Sequence, residues 1–325
     1  MNKIILLLGI FFITLGCESV PEYTLPGTEF ISIGDREVNY ASLGEGSPVV
    51  VFETGLGQPM TNWWPIYEQV GEFTKVFAYD RPGYEKSSEV SSLTSAQEVA
   101  ELLHQNLYET GNMPPYIIVG HSFGGILANA FTRIYPEDVI GVVLIDASHP
   151  RQLIAFKEIE IEEPIYAKDY EVEILNNIHN EFETLDAFPT IPLFVLTAEG
   201  SIEDVAIWLD LQQELASLSS NSIHEIVYGS GHFIHQDNPE VVIDAIQTII
   251  DEAPTRKNAK GGVGLSKSRV NSYKSLKDIV SEYQGKNNFK VKDINVKFAK
   301  DFLKFLLTKK VYQKSYALKK IADLK

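Results

Sequence analysis

Apolar positions in this chain follow two rhythms that alternate along its length. Thr28–Gly44 alternates apolar and polar residues on both sides of Gly34-Asp35, as a β-hairpin does. Unbroken apolar runs follow: PVVVFETG from Pro48, TKVFAYDRPG from Thr74, YIIVG from Tyr116, VIGVVLID from Val139, PLFVLTAEG from Pro192 and SIHEIVYGSG from Ser222. Short apolar runs of this kind, closed by turn residues, predict strands buried on both faces. Between them the period changes. Thr94–Tyr108 carries Val99, Leu102, Leu103 and Leu107 at helical spacing, and Val205–Leu218 and Val241–Ile250 also read as helices. Strands alternating with helices predict an α/β fold: a mainly parallel sheet with helices on both faces.

Both ends depart from this pattern. The first 17 residues, MNKIILLLGIFFITLGC, place Lys3 before an apolar stretch, Ile4–Leu15. That stretch is shorter than the roughly 20 residues a spanning helix needs, so residues 1–17 predict a cleaved signal peptide. Thr14-Leu15-Gly16-Cys17 resembles the lipobox of bacterial lipoproteins, with Thr14 where Leu is usual. The resemblance implies lipid attachment at Cys17, export, and a membrane-anchored or a periplasmic or extracellular protein.

Charge separates the other end. Residues 256–325 carry 19 Lys and Arg against 5 Asp and Glu, whereas the remainder carries 9 against 39. An acidic body over 18–253 therefore meets a basic helical tail over 266–325, joined by a Pro- and Gly-bearing linker at 254–265. Basic residues lie between Phe298, Phe302, Phe305 and Leu306 at helical spacing. The tail is expected to dock on the acidic body or on anionic lipid; nucleic acid is not expected as a partner. Cys17 is the one cysteine, which excludes an internal disulfide framework and a cysteine-based zinc cluster. No phosphate-binding loop, dinucleotide fingerprint or HExxH pair occurs, so neither metal nor cofactor is expected.

Chemistry concentrates at Gly120-His121-Ser122-Phe123-Gly124, which follows a buried strand and opens a helical pattern. A serine at so sharp a strand-to-helix turn is pushed outward, and the helix N-terminus behind it favours developing negative charge. In its strand–turn–helix setting, this G-x-S-x-G resembles the nucleophile elbow of the α/β-hydrolases. Three further stretches, within a similarity covering about residues 28–252, agree. FETGLG has Thr54-Gly55 where that family has His-Gly, which implies an oxyanion hole made by the N–H groups of Leu56 and Phe123. YDRPGYEKSS resembles its Asp-Arg-x-Gly-x-Gly-x-Ser turn, with Glu85 replacing the second glycine, and Asp80 and Arg81 read as structural. YGSGHFIHQDNPEVVIDAI resembles its final loop and helix, which makes His232 the general base, with His235 packing against the following helix and His121 packing or bonding locally.

The acid that completes a triad is open at this point. In the commonest layout it follows PLFVLT near Ser201, where no Asp stands and Glu199, Glu203 and Asp204 are neighbours. The alternative, favoured here, is Asp146 after the preceding strand. Residues 151–190 are expected to form a short cap over the site. The resemblance implies an ester hydrolase acting through an acyl-enzyme on Ser122. An amidase or aminopeptidase of the same fold, or a non-catalytic binder on this scaffold, are the alternatives.

Overall fold

The computed structural model describes residues 23–90, 93–158, 167–205, 207–257, 283 and 296–309. The signal segment, with Cys17, and most of the basic tail lie outside the described residues.

Eight strands form one sheet: β1 (Thr28–Ile33), β2 (Arg36–Leu43), β3 (Val49–Glu53), β4 (Lys75–Tyr79), β5 (Tyr116–His121), β6 (Val139–Ile145), β7 (Leu193–Ala198) and β8 (Ser222–Val227). The spatial order is β1-β2-β4-β3-β5-β6-β7-β8. The expected hairpin is β1–β2, and β2 runs antiparallel to β4; from β4 to β8 every pairing is parallel. The sheet is thus mainly parallel, as the alternating pattern requires. The central strands β3, β5 and β7 are buried throughout, whereas the edge strand β8 alternates in exposure.

Ten helices are described: α1 (Tyr67–Gly71), α2 (Ala96–Glu109), α3 (Phe123–Ile134), α4 (Gln152–Glu158), α5 (Asp169–Thr184), α6 (Glu199–Asp204), α7 (Trp208–Ala216), α8 (Ile234–Asp237), α9 (Pro239–Lys257) and α10 (Val296–Thr308), with a 3₁₀ turn at Met60–Trp63. Ser95 caps α2 by accepting from the Glu98 N–H at 3.2 Å. Side chains leave a strand alternately to either face. Accordingly Val49, Val51, Ile118, Val142, Leu144 and Val195 pack with Leu103 and Leu107 of α2, Phe131 of α3 and Leu215 of α7. The opposite face meets α9, since a Cβ on Gly141 would lie 2.3 Å from Ile249. Helices therefore cover both faces.

The segment read as a cap, 151–190, contributes α4 and α5. Ile174 and Ile178 of α5 pack among Val99 of α2 and Phe123, Ile126 and Leu127 of α3, so α5 sits beside the elbow. Helix α9 runs through Pro254 to Lys257, across the first residues of the segment read as a linker. The chain divides into two compact units, 1–249 and 250–325. In the second, Tyr283 packs against Phe302 and Phe305 on α10. Among the described residues, no helix is long and apolar enough to cross a membrane.

Candidate active site

Ser122 lies between β5 and α3 with φ 52° and ψ −122°, a left-handed backbone that a non-glycine residue adopts only under constraint. The constraint comes from both sides of the turn. Ser122 donates its N–H to Ile145 O at 3.1 Å and accepts from Gly125 and Ser148 N–H groups at 2.9 Å. Neither flanking glycine has room for a side chain. A Cβ on Gly120 would approach Gly124 O to 2.5 Å, and one on Gly124 would approach Glu53 O to 2.2 Å. The hydroxyl does not cap its own helix, which leaves it available for chemistry.

Asp146, just past β6, also holds a positive φ of 41°. Its carboxylate is fully buried and accepts four hydrogen bonds. Oδ1 accepts from the Ala198 N–H at 3.0 Å and the Trp208 indole at 2.7 Å; Oδ2 accepts from the Ser201 hydroxyl at 2.5 Å and from His232 Nδ1 at 2.7 Å. The His232 side chain is 21% exposed while that of Asp146 is 0% exposed, so the imidazole bridges buried carboxylate and surface. Among the described side chains, Asp146 is the one of the acids weighed from sequence that bonds His232. Glu199 instead accepts from the Gly229 N–H at 2.8 Å. The side chains of Glu203 and Asp204 lie outside the described residues.

His121 holds the base loop against the elbow. Its Nε2 bonds the His232 carbonyl at 3.0 Å, and the two rings lie 4.7 Å apart. Ser122 and His232 thus occupy the same end of the sheet. The hydrogen bond from Ser122 Oγ to the imidazole is not formed among the described contacts; such bonds commonly tighten only around substrate. His235 is fully buried on α8, packed against Trp63 and His121 at 4.7 Å from each ring. Burial, then the charge of His232, pushes its pKa down to about 3, and burial likewise holds His121 well below the ordinary imidazole value.

The loop after β3 runs alongside the nucleophile: a Cβ on Gly55 would lie 3.4 Å from Ser122 Cβ. The N–H groups of Leu56 and Phe123 donate to no backbone acceptor of the described chain. Arg81 fixes this loop from beneath by donating to Thr54 O and Gly55 O, both at 2.7 Å. Asp80 accepts from the Met60 N–H at 2.7 Å and from Asn39 at 2.6 Å, and burial raises its pKa to about 6. Both residues are therefore anchors of the loop, as the sequence suggests. Glu85 occupies its glycine position with φ 45°, so the backbone keeps the conformation that glycine would adopt more easily.

A half-buried, strained serine, an imidazole held by a carboxylate, and the eight-stranded order together form one architecture. The match of residues 48–195 to the family model described as alpha/beta hydrolase fold decides the assignment. The chain has the α/β-hydrolase fold. Among relatives of this α/β hydrolase is an uncharacterized protein, YqjL, of Bacillus subtilis, 28% identical over 217 residues that cover 63% of this chain and 85% of that one. Among solved structures it is similar to a thermophilic esterase from Thermogutta terrifontis, with a TM-score of 0.54 and 18% identity over 69% of this chain and 97% of that one. A membrane phospholipase A superposes with a TM-score of 0.54 at 19% identity, over 71% and 87% of the respective chains. At these identities the structural likenesses establish the fold. Residues 242–322 of the hydrolase match a second family model, described as a phage integrase SAM-like domain, which overlaps α9 and spans the basic tail.

Two features of this hydrolase were not foreseen from sequence. Ser201 stands where the resemblance places the acid and donates its hydroxyl to Asp146, and Trp208 supplies a second side-chain donor. The absence of an Asp near Ser201 was the available signal for the first; nothing in the pattern singled out the second. Among the described residues no group of three or more His, Cys, Asp or Glu is placed to hold a metal ion.

Proposed function

We propose that this α/β hydrolase cleaves a carboxylic ester through an acyl-enzyme on Ser122. The observation that carries the reading is the 2.7 Å bond between His232 Nδ1 and Asp146, at the same end of the sheet as the strained serine. An ionised carboxylate can only accept, so this bond places the proton on Nδ1 and leaves Nε2 free to take one. Nε2 removes the Ser122 proton as Oγ attacks the acyl carbon. The Leu56 and Phe123 N–H groups receive the oxyanion, and each such donor contributes about 3 kcal/mol to the transition state. His232 returns the proton to the leaving alcohol and then activates the water that frees the acid.

A fluorophosphonate probe tests this directly. Labelling of the wild type, abolished in Ser122→Ala, supports the reading; an unlabelled folded protein favours a binding role on this scaffold. A panel of p-nitrophenyl esters of rising chain length, set beside aminoacyl anilides, separates ester from amide specificity. For the termini we propose lipid attachment at Cys17 and docking of the basic tail on anionic lipid. Radiolabelled palmitate incorporation lost in Cys17→Ala tests the first. Flotation on vesicles with and without anionic lipid, with duplex DNA as competitor, tests the second.

A further inference from the structure

We infer that Arg81, held by Glu171 of the cap, is a positioning residue for the oxyanion hole and couples the seating of the cap to catalysis. The inference rests on the serine-hydrolase reading above and deepens it. Arg81 and Glu171 are 1% and 0% exposed, and their side chains meet in two contacts, Nε to Oε1 at 2.9 Å and Nη2 to Oε1 at 2.7 Å. Glu171 lies in the first turn of α5. Its other oxygen accepts from the Tyr84 hydroxyl and, at 3.3 Å, from the Lys168 N–H. The carboxylate is therefore fully engaged in tying α5 to the turn after β4.

On its other side the same guanidinium donates to Thr54 O and Oγ1 at 2.7 and 2.8 Å, and to Gly55 O at 2.7 Å. The Gly55 carbonyl belongs to the peptide group whose N–H is that of Leu56. A trans peptide is planar, with its C=O and N–H pointing in opposite directions. Turning the carbonyl toward Arg81 therefore turns the Leu56 N–H the other way, to the Ser122 side of the loop, where Gly55 passes the nucleophile. A charged donor on the carbonyl also polarises the peptide and makes its N–H a stronger donor. Arg81 lies 5.5 Å from the ring of Phe123, whose N–H is the second proposed oxyanion donor. One buried cation thus contacts the supports of both donors and the cap helix.

The pairing is more than loop scaffolding. Glu53, directly before the loop, already offers Arg81 a carboxylate at 3.6 Å, and its remaining oxygen contact is the Tyr79 hydroxyl at 2.6 Å. Burial raises the Glu53 pKa to about 7, so at neutral pH this carboxylate is an incomplete counter-ion. Glu171 supplies the closer charge, and it comes from the element that moves if the cap moves.

The test uses full-length protein and begins with fluorophosphonate labelling of the wild type; if that fails, the parent reading fails and this inference is not reached. In Arg81→Lys, the ammonium cannot span both carbonyls and Glu171 together. We expect kcat to fall about ten- to hundredfold with KM little changed, because the lost interaction belongs to the transition state. Affinity for an aryl boronic acid, whose tetrahedral adduct occupies the oxyanion hole, should fall by the same factor. Glu171→Gln keeps shape and one acceptor, and should show the same paired losses at a few-fold scale. Circular dichroism and melting temperature establish that each variant is folded; if Arg81→Lys is not, Glu171→Gln carries the test. Turnover within twofold of wild type in the folded variants overturns the inference. So does a fall in kcat that leaves boronate affinity unchanged, since that is what general destabilisation would produce.

Discussion

Replacing Asp146 by asparagine isolates the role of the acid, and the structure dictates how the replacement would sit. Oδ1 faces the Ala198 N–H and the Trp208 indole, two donors that cannot turn into acceptors. The amide oxygen must stay there, so the amide nitrogen takes the Oδ2 position, facing Ser201 and His232. Ser201 adapts by rotating its hydroxyl. His232 has to accept at Nδ1, which puts its proton on Nε2 and removes the base that Ser122 needs. Enforcing the wrong tautomer in a triad costs about 10⁴ in kcat, equivalent to about 5 kcal/mol at 1.36 kcal/mol per decade. Stability falls by much less, about 1–3 kcal/mol, as charged hydrogen bonds become neutral ones. The second-order rate of fluorophosphonate labelling measures the effect without a known substrate, and urea unfolding run in parallel separates it from destabilisation. Glu199→Gln is the control. Its carboxylate serves the Gly229 N–H, so labelling stays near wild type. An Asp146→Asn protein that labels at more than a tenth of the wild-type rate, with Glu199→Gln impaired, would refute the assignment of the acid.

Three further outcomes follow from particular contacts. Gly124→Ala drives a methyl to within 2.2 Å of Glu53 O and 2.5 Å of Thr54 O, both backbone atoms; it should cost about 3 kcal/mol or more and abolish labelling. Glu85→Gly relieves a left-handed residue at φ 45° and should raise stability by about 1 kcal/mol, read as a higher urea midpoint. His235 is neutral in the fold, with its pKa lowered to about 3, while an unfolded imidazole titrates at 6.5. The unfolded chain therefore binds the extra proton first, and the stability that His235 contributes is full above pH 6.5 and lost as pH falls toward 3. At pH 4 that loss is of order 3 kcal/mol. His235→Phe, which keeps a ring beside Trp63, should narrow the gap between urea midpoints at pH 7 and pH 4. Glu53 and Asp80, whose raised pKa values work in the opposite sense, are common to both proteins, so an unchanged gap would count against a buried neutral His235.

Local pattern was enough for the elements. Strands such as Val49–Glu53 and Tyr116–His121 are mostly apolar because both of their faces are covered, and α2 shows its stripe because only one side meets the core. The elbow was legible for a similar reason: the two glycines around Ser122 are required by contacts within a few residues of chain or with the adjoining strand. Tertiary structure decided the partners. Asp146 and Glu199 are both strand-end acids in the sequence, and only the arrival of Ser201, Trp208 and His232 from 55, 62 and 86 residues away singles out Asp146. Arg81 reads as a turn residue, yet its counter-ion Glu171 is 90 residues on, within an acidic stretch where no periodicity distinguishes one carboxylate from the next. Periodicity reports which side of an element is buried. Which charges meet there depends on how distant segments are folded together, and that is a property of the assembled chain.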